Sequence, residues 1–247
     1  MRVSPVIPAL LTALVLAAST AHAQKLADEQ TRRQAIESYR TGQEFMSSER
    51  YDKAVEAFSA AIDKDPLLTV AHYQLGQAYM ALKRPASALK AYESCLRAME
   101  TLHHLEESNK FEVDRQRQET IREIRTELVD SRQKTDPLKK LVLEQRINDL
   151  EQERTAYGAA FRPPAFVLLA LGSAHFRSGN LEAAEAQWKA AIDANRKYGE
   201  AHNNLAALYA MTGRKKEAEL AVREAEKSGF RVNPQLKDDI RKLAGTP

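Results

Sequence analysis

The sequence contains little of what stabilises small or loop-rich folds. Its 247 residues include one cysteine, nine glycines, nine prolines and 6% aromatic residues. Because Cys95 has no second cysteine to pair with, an intramolecular disulfide is excluded and the fold must be stabilised by packing. The low content of glycine, proline and phenylalanine argues against collagen-like, porin-like and disulfide-stapled classes. The abundance of alanine, leucine, glutamate, lysine and arginine favours an all-α protein.

The chain also lacks an excess of one charge. Its 37 lysines and arginines are nearly matched by 34 aspartates and glutamates, and the two signs are interleaved. Nucleic-acid binding needs positive charge gathered on one face, so we do not expect a nucleic-acid partner.

One apolar run stands out, at the N-terminus. Residues 6–18 follow Arg2 and precede the small-residue sequence Ala21-His22-Ala23. The run is about thirteen residues long, shorter than the roughly 18 to 20 that a membrane-spanning helix needs. This pattern is typical of a cleavable secretory signal, so we predict a signal peptide over residues 1–23 and no membrane insertion after its removal. The mature protein would be periplasmic in a Gram-negative host and otherwise secreted.

Four segments of the chain share a period of 34 residues within each of two pairs. Each segment has a small residue, a second small residue twelve positions later, and a large apolar residue four positions after that. The three sets are Gly42, Gly76, Gly172 and Ala206; Ala54, Ala88, Ala184 and Ala218; and Phe58, Tyr92, Trp188 and Val222. This spacing predicts two antiparallel helices in each segment.

At these positions the chain resembles the tetratricopeptide repeat family. The resemblance implies an all-α helical solenoid, in which each repeat buries its apolar face on its neighbour. The predicted segments are an N-terminal linker at 24–34, repeats at 35–68, 69–102, 165–198 and 199–232, and a capping helix with a tail at 233–247.

The period lapses between repeats 2 and 3, over residues 103–164. This segment is highly charged, and Asp136 followed by Pro137 predicts a helix start. We therefore expect a charged antiparallel helical hairpin. Its thin apolar seam is either a solvated face or a contact with a partner or a second copy of the chain. If the hairpin is only a spacer, repeats 2 and 3 should stack across its base.

The sequence leaves the outgoing arm of this hairpin undecided. It could continue the second helix of repeat 2 from Ala86 to near Lys134. Alternatively, Asn109 and Glu112 could form a capping box that breaks it.

No catalytic, cofactor or metal motif is recognisable in the chain. His103 and His104 are adjacent, so on a helix they point about 100° apart and are poorly placed to share a metal ion. Cys95 stands where small buried residues are usual. We therefore predict a protein that is not an enzyme and has no cofactor.

The resemblance also implies where a partner would bind. In the family, the second, fifth, ninth and twelfth positions of each repeat line the concave surface. These positions hold Ile36, Tyr39, Gln43 and Met46; Val70, Tyr73, Gln77 and Met80; Phe166, Leu169, Ser173 and Phe176; and Glu200, Asn203, Ala207 and Ala210. The predicted partner-binding residues are Tyr39, Gln43, Met46, Tyr73, Gln77, Met80, Leu169, Phe176, Asn203 and, at a sixth position, Asn204.

The repeated tyrosines and glutamines offer aromatic area with amide donors and acceptors, which suits an extended peptide. Our prediction is an exported adaptor that binds a peptide or protein of the cell envelope in this groove. The alternative is a structural envelope-assembly component that forms a homo-oligomer through the hairpin.

Overall fold

The computed structural model describes residues 27–130, 143, 144, 146–148, 150, 151 and 160–243. The predicted signal peptide, the Asp136-Pro137 helix start and the last four residues lie outside the described residues. Nine helices are defined within the described part of the chain, and the described residues between 143 and 151 are helical as well. The nine helices are α1 (Glu29–Ser47), α2 (Tyr51–Lys64), α3 (Thr69–Ala81), α4 (Pro85–Asp130), α5 (Ala165–Arg177), α6 (Leu181–Ala194), α7 (Gly199–Met211), α8 (Lys215–Lys227) and α9 (Pro234–Lys242).

The first helix begins earlier than the sequence predicted. The Asp28 side chain accepts a hydrogen bond from the Thr31 backbone N–H at 2.8 Å, which caps the helix at its N-terminus. The segment predicted as a linker, 24–34, therefore contains the first turns of α1 from Glu29 onward.

Helices α1 to α8 pack as four successive pairs, α1 with α2, α3 with α4, α5 with α6, and α7 with α8. Glycine permits the close approach within a pair. A Cβ atom added to Gly42 would lie 2.5 Å from the Phe58 ring, and one added to Gly172 would lie 2.5 Å from the Trp188 ring. In the last pair the smaller Val222 leaves room for a methyl group, and Ala206 takes the place of glycine.

Neighbouring pairs also stack on one another, because α2 packs on α3, α4 on α5, and α6 on α7. The contact between α4 and α5 joins the two halves of the repeat array. Tyr92 and Cys95 of α4 share one buried apolar cluster with Val167 and Leu171 of α5. The inserted segment therefore leaves the array without interrupting its core.

The C-terminal end of the array is covered by α9. The Asn233 side chain caps this helix by accepting a hydrogen bond from the Gln235 N–H at 2.9 Å. Ile240 is buried against α8, and Leu236 packs beside it. Lys215 of α8 donates to the carbonyl oxygens of Arg241 and Leu243, which fixes the end of α9.

Helix α4 has 46 residues and runs without a break through Asn109. At 1.5 Å per residue it is about 69 Å long. Of the two alternatives for this arm, the continuous helix is the one observed. Glu112 does not act in a capping box, because its carboxylate binds Arg115 at 2.7 Å on the same helix.

The far part of α4 contacts the returning chain. Arg125 pairs with Glu151 at 2.6 Å. Ile121 and Leu150 are both buried near this ion pair. At this level the apolar seam is covered by the chain itself. Among the described residues, no helix has the length and hydropathy that a membrane crossing requires.

Candidate functional site

The first repeat presents a linked tyrosine and glutamine on α1. The Gln43 side-chain amide donates a hydrogen bond to the Tyr39 hydroxyl at 2.9 Å. The Tyr39 ring rests on Phe58, with 5.8 Å between ring centroids, and remains partly exposed. The packing on Phe58 and the hydrogen bond from Gln43 together fix the orientation of the Tyr39 ring.

The second repeat places the same residue types on α3. Tyr73 rests on Tyr92 with ring centroids 5.6 Å apart, as Tyr39 rests on Phe58. Burial raises the pKa of Tyr73, although a hydrogen bond with Gln77 opposes the rise. The two repeats therefore present equivalent tyrosine and glutamine pairs.

Tyr73 also contacts the third repeat. Its ring meets Phe166 at an interplanar angle of 83°, with centroids 5.0 Å apart. Phe166 keeps 40% of its surface exposed. Further along the same two helices, Arg177 donates to the Met80 carbonyl at 3.1 Å. Met80 itself is partly buried against the cluster that joins repeats 2 and 3.

One residue of the predicted binding set, Leu169, does not lie on the surface. Leu169 is only 8% exposed and belongs to the core cluster of Trp188. Its carbonyl accepts a hydrogen bond from the Trp188 indole N–H at 3.2 Å. Leucine lacks the polar end that keeps a tyrosine at the surface in the first two repeats, and it is drawn into the core. Phe176 is partly buried and packs on Trp188 with centroids 5.6 Å apart.

The fourth repeat differs in character. Asn203 and Asn204 are partly buried, and Glu200 is exposed in the first turn of α7. Burial, together with the Glu200 carboxylate, raises the pKa of Tyr198, the residue that precedes α7. The same carboxylate contributes to the raised pKa of Tyr73. Glu200 therefore acts on tyrosines from two different repeats.

The sequence prediction left two residues of this region out of the candidate set. Phe166 stands at a second position of its repeat, so its signal was present in the periodicity. Tyr198 lies at the end of repeat 3, outside the positions that the family resemblance marks.

The remaining reactive residues have structural roles. Burial raises the pKa of the Cys95 thiol to about 11, and its Sγ donates to the Thr69 carbonyl at 3.3 Å. His72 is buried, with Nε2 at 2.9 Å from the Pro66 carbonyl, and burial lowers its pKa. Within the described ranges, no three His, Cys, Asp or Glu side chains are placed to hold a metal ion.

Comparisons with known proteins identify the repeats. A family model described as tetratricopeptide repeat matches residues 39–98 and 169–230. A search of curated proteins finds no match.

Several solved structures are similar in fold. PilW, described as a widely conserved type IV pilus biogenesis factor, is 16% identical, with 85% of each chain covered and a TM-score of 0.40. TTC0263, a thermophilic repeat protein of Thermus thermophilus, is 19% identical, with 85% of this chain and 98% of that chain covered and a TM-score of 0.36. YrrB, described as having an unusual peptide-binding site, is 18% identical, with 85% and 92% covered and a TM-score of 0.30.

Proposed function

Because residues 39–98 and 169–230 belong to the tetratricopeptide repeat family, which serves protein–protein interaction, we propose that this chain is a non-enzymatic adaptor. Its partner is an extended peptide or protein segment that lies along the concave inner surface of the repeats, which the second, fifth, ninth and twelfth positions of each repeat are expected to line. We further propose that the protein is exported and that its partner belongs to the cell envelope. The export proposal is supported by the apolar run and small-residue site before Gln24.

The pair of Tyr39 and Gln43 in repeat 1 is equivalent to the pair of Tyr73 and Gln77 in repeat 2. This equivalence carries the proposal. Both tyrosine rings rest on a buried aromatic residue of the second helix, at 5.8 and 5.6 Å. A ring held from below loses little conformational entropy when a ligand packs on its exposed side. The neighbouring amides can hydrogen-bond to a peptide backbone, since each has both donors and an acceptor. Two such units in series suit an extended segment better than a small molecule.

Site-specific photo-cross-linking in the native host tests this proposal. A photoreactive phenylalanine derivative is placed at the exposed residue Gln43, and a matched control is placed at Glu56 of the second helix α2, which is also exposed. A discrete adduct with an envelope protein at position 43, absent at position 56, is the expected result. Equal labelling at both positions, or labelling of cytoplasmic proteins alone, contradicts the proposal.

The second candidate function is assembly through the hairpin. It is favoured by Phe111 and Val113 of α4, whose surfaces are 56% and 55% exposed. Residues two positions apart on a helix point about 200° apart, so Phe111 and Val113 offer contacts on two separate sides of α4. Sedimentation of the full-length protein tests it, because a dimer that Val113→Glu converts to a monomer requires the side of α4 that carries Val113. A monomer at every concentration excludes self-association.

A further inference from the structure

The sixteen positions that the family resemblance assigns to the concave inner surface carry almost no charge. Among the sixteen residues at the second, fifth, ninth and twelfth positions, Glu200 alone is an acid or a base. It is exposed, and within the described residues no lysine, arginine or histidine forms an ion pair with it. By contrast, Glu185 on the neighbouring helix α6 pairs with both Lys189 and Arg214. A lone carboxylate on an uncharged binding surface is free to pair with a positive charge of a ligand.

Aromatic rings from repeats 2 and 3 lie close to this carboxylate, which contributes to the raised pKa of both Tyr73 and Tyr198. Phe166 occupies the same repeat position as Glu200, one repeat of 34 residues earlier, and consecutive repeats place equivalent positions side by side. The Tyr73 ring stands at 83° to Phe166 with centroids 5.0 Å apart, so the two rings form the walls of a corner. Tyr198 precedes Glu200 by two residues. All three rings keep part of their surface exposed.

We propose that Tyr73, Phe166, Tyr198 and Glu200 bind a cationic side chain, an arginine or a lysine, of the peptide that lies on the inner surface. The faces of aromatic rings attract cations, and the attraction is stronger where the rings exclude water. The carboxylate adds a charge-assisted hydrogen bond that a neutral side chain cannot match. This inference rests on the proposed function, since it specifies one residue of the bound segment.

The helix dipole offers another reason for an acid at this position. Glu200 lies in the first turn of α7, where negative charge is favoured. Glu182 lies in the first turn of α6 and is also exposed. It has no place in the aromatic cluster, and its replacement therefore controls for the dipole alone.

Two blocked amino acids test the proposal on the full-length protein. N-acetylarginine methylamide is cationic, and the citrulline analogue has nearly the same shape without the charge. Titrations are followed by NMR at the ring resonances of Tyr73, Phe166 and Tyr198. We expect the arginine compound to shift these resonances and to bind at least fivefold more tightly than the citrulline compound. Glu200→Gln should abolish this preference, whereas Glu182→Gln should retain it.

Several results would overturn the cation site. These are equal binding of the two compounds, a preference that survives Glu200→Gln, and the absence of any shift at the three rings. If Glu200→Gln alters the circular dichroism spectrum, Phe166→Leu provides the second variant, because it keeps apolar volume but removes the ring. Adducts at position 43 test the groove independently, so the cation site can fail while the proposed function stands.

Discussion

The ring of Tyr73 lies edge-on against the ring of Phe166, with 5.0 Å between their centroids and an angle of 83° between their planes. The whole inserted segment separates these two residues in sequence. Their contact, with the buried cluster of Tyr92, Val167 and Leu171 behind it, joins the second repeat directly to the third. An array with a continuous core is expected to unfold as one unit rather than as two independent pairs.

Leu171→Ala tests this continuity. Leu171 is 4% exposed in the cluster shared by α4 and α5, so we expect a loss of about 2–4 kcal/mol in the free energy of unfolding. Urea unfolding is followed by circular dichroism, which reports on all helices, and by the fluorescence of Trp188, the single tryptophan, in the third repeat. The two transitions should coincide and move together in the variant. A circular dichroism transition that splits in two would show that the halves unfold independently.

The pairing of glycine with a large ring predicts a size compensation. A Cβ atom at Gly172 would lie 2.5 Å from the Trp188 ring, so Gly172→Ala should destabilise the protein by about 1–3 kcal/mol despite alanine's better helix propensity. In a protein that carries Trp188→Val, Gly172→Ala should not reduce stability. Alanine at 172 and valine at 188 then reproduce the arrangement of Ala206 and Val222 in the fourth repeat. Thermal unfolding by circular dichroism measures all the variants.

Gly179→Ala serves as the control for this cycle. Gly179 has a φ of 80° and no atom within 4 Å of an added Cβ, so its replacement costs about 1–2 kcal/mol through the backbone alone. That cost should be the same with Trp188 or with valine at position 188. If both glycine variants respond alike to the loss of the tryptophan, steric conflict at Gly172 is not the cause.

The same contacts show how far the sequence could predict the fold. The glycine and aromatic pairs were predictable because both partners lie in one repeat at a fixed spacing. The long helix was undecided because Asn109 and Glu112 form a local stop signal, while Glu112 and Arg115 form an equally local helix-stabilising pair. The surface location predicted for Leu169 was wrong because the position in the repeat indicates which way a side chain points but not how deeply it is buried. The cluster around Glu200 depends on how three repeats stack, which no single repeat encodes.

Tyr39→Ala tests the proposed groove once a partner is known from cross-linking. The Tyr39 ring is partly exposed and packs on Phe58. Removing this ring should therefore weaken binding of the partner by about 1–2 kcal/mol if Tyr39 anchors the partner. Tyr51→Ala on the second helix α2 is the control and should leave the affinity unchanged. Isothermal titration calorimetry measures both. Equal affinities for the two variants would place the binding surface elsewhere.

The contact between α4 and the returning chain should matter for local structure rather than for the repeats. Ile121 is buried at the level where Arg125 of α4 pairs with Glu151 of the returning chain. A lysine at this site would bury an unpaired charge, so Ile121→Lys should reduce helical circular dichroism by separating α4 from the returning chain. The Trp188 fluorescence spectrum should not change, since that ring lies in the core of the third and fourth repeats. Ile121→Leu is the apolar control, and an unchanged helical signal in the lysine variant would contradict this interpretation.

The junction of the third and fourth repeats should respond to acid through Glu185. Burial opposes its charge, but hydrogen bonds from Arg214, Lys189 and Tyr209 outweigh it and lower the pKa of Glu185 to about 2. A carboxylate with a lowered pKa in the folded state stabilises that state fully above its ordinary pKa of 4.5, and the contribution is lost as the pH falls towards 2.

Glu185→Gln should therefore lower the free energy of unfolding by about 1–2 kcal/mol at neutral pH, a value reduced because Arg214 is partly exposed. The difference between the variant and the unaltered protein should shrink towards zero near the pH at which Glu185 itself is protonated. Taking the difference cancels the other carboxylates, which titrate in both proteins. Urea unfolding across the acid range measures it, and Glu182→Gln, which replaces an exposed acid in the first turn of the same helix, should show only the smaller difference that the helix dipole contributes. If the difference in unfolding free energy between Glu185→Gln and the unaltered protein stays constant as the pH is lowered, the shape of the carboxylate, and not its charge, holds the two repeats together.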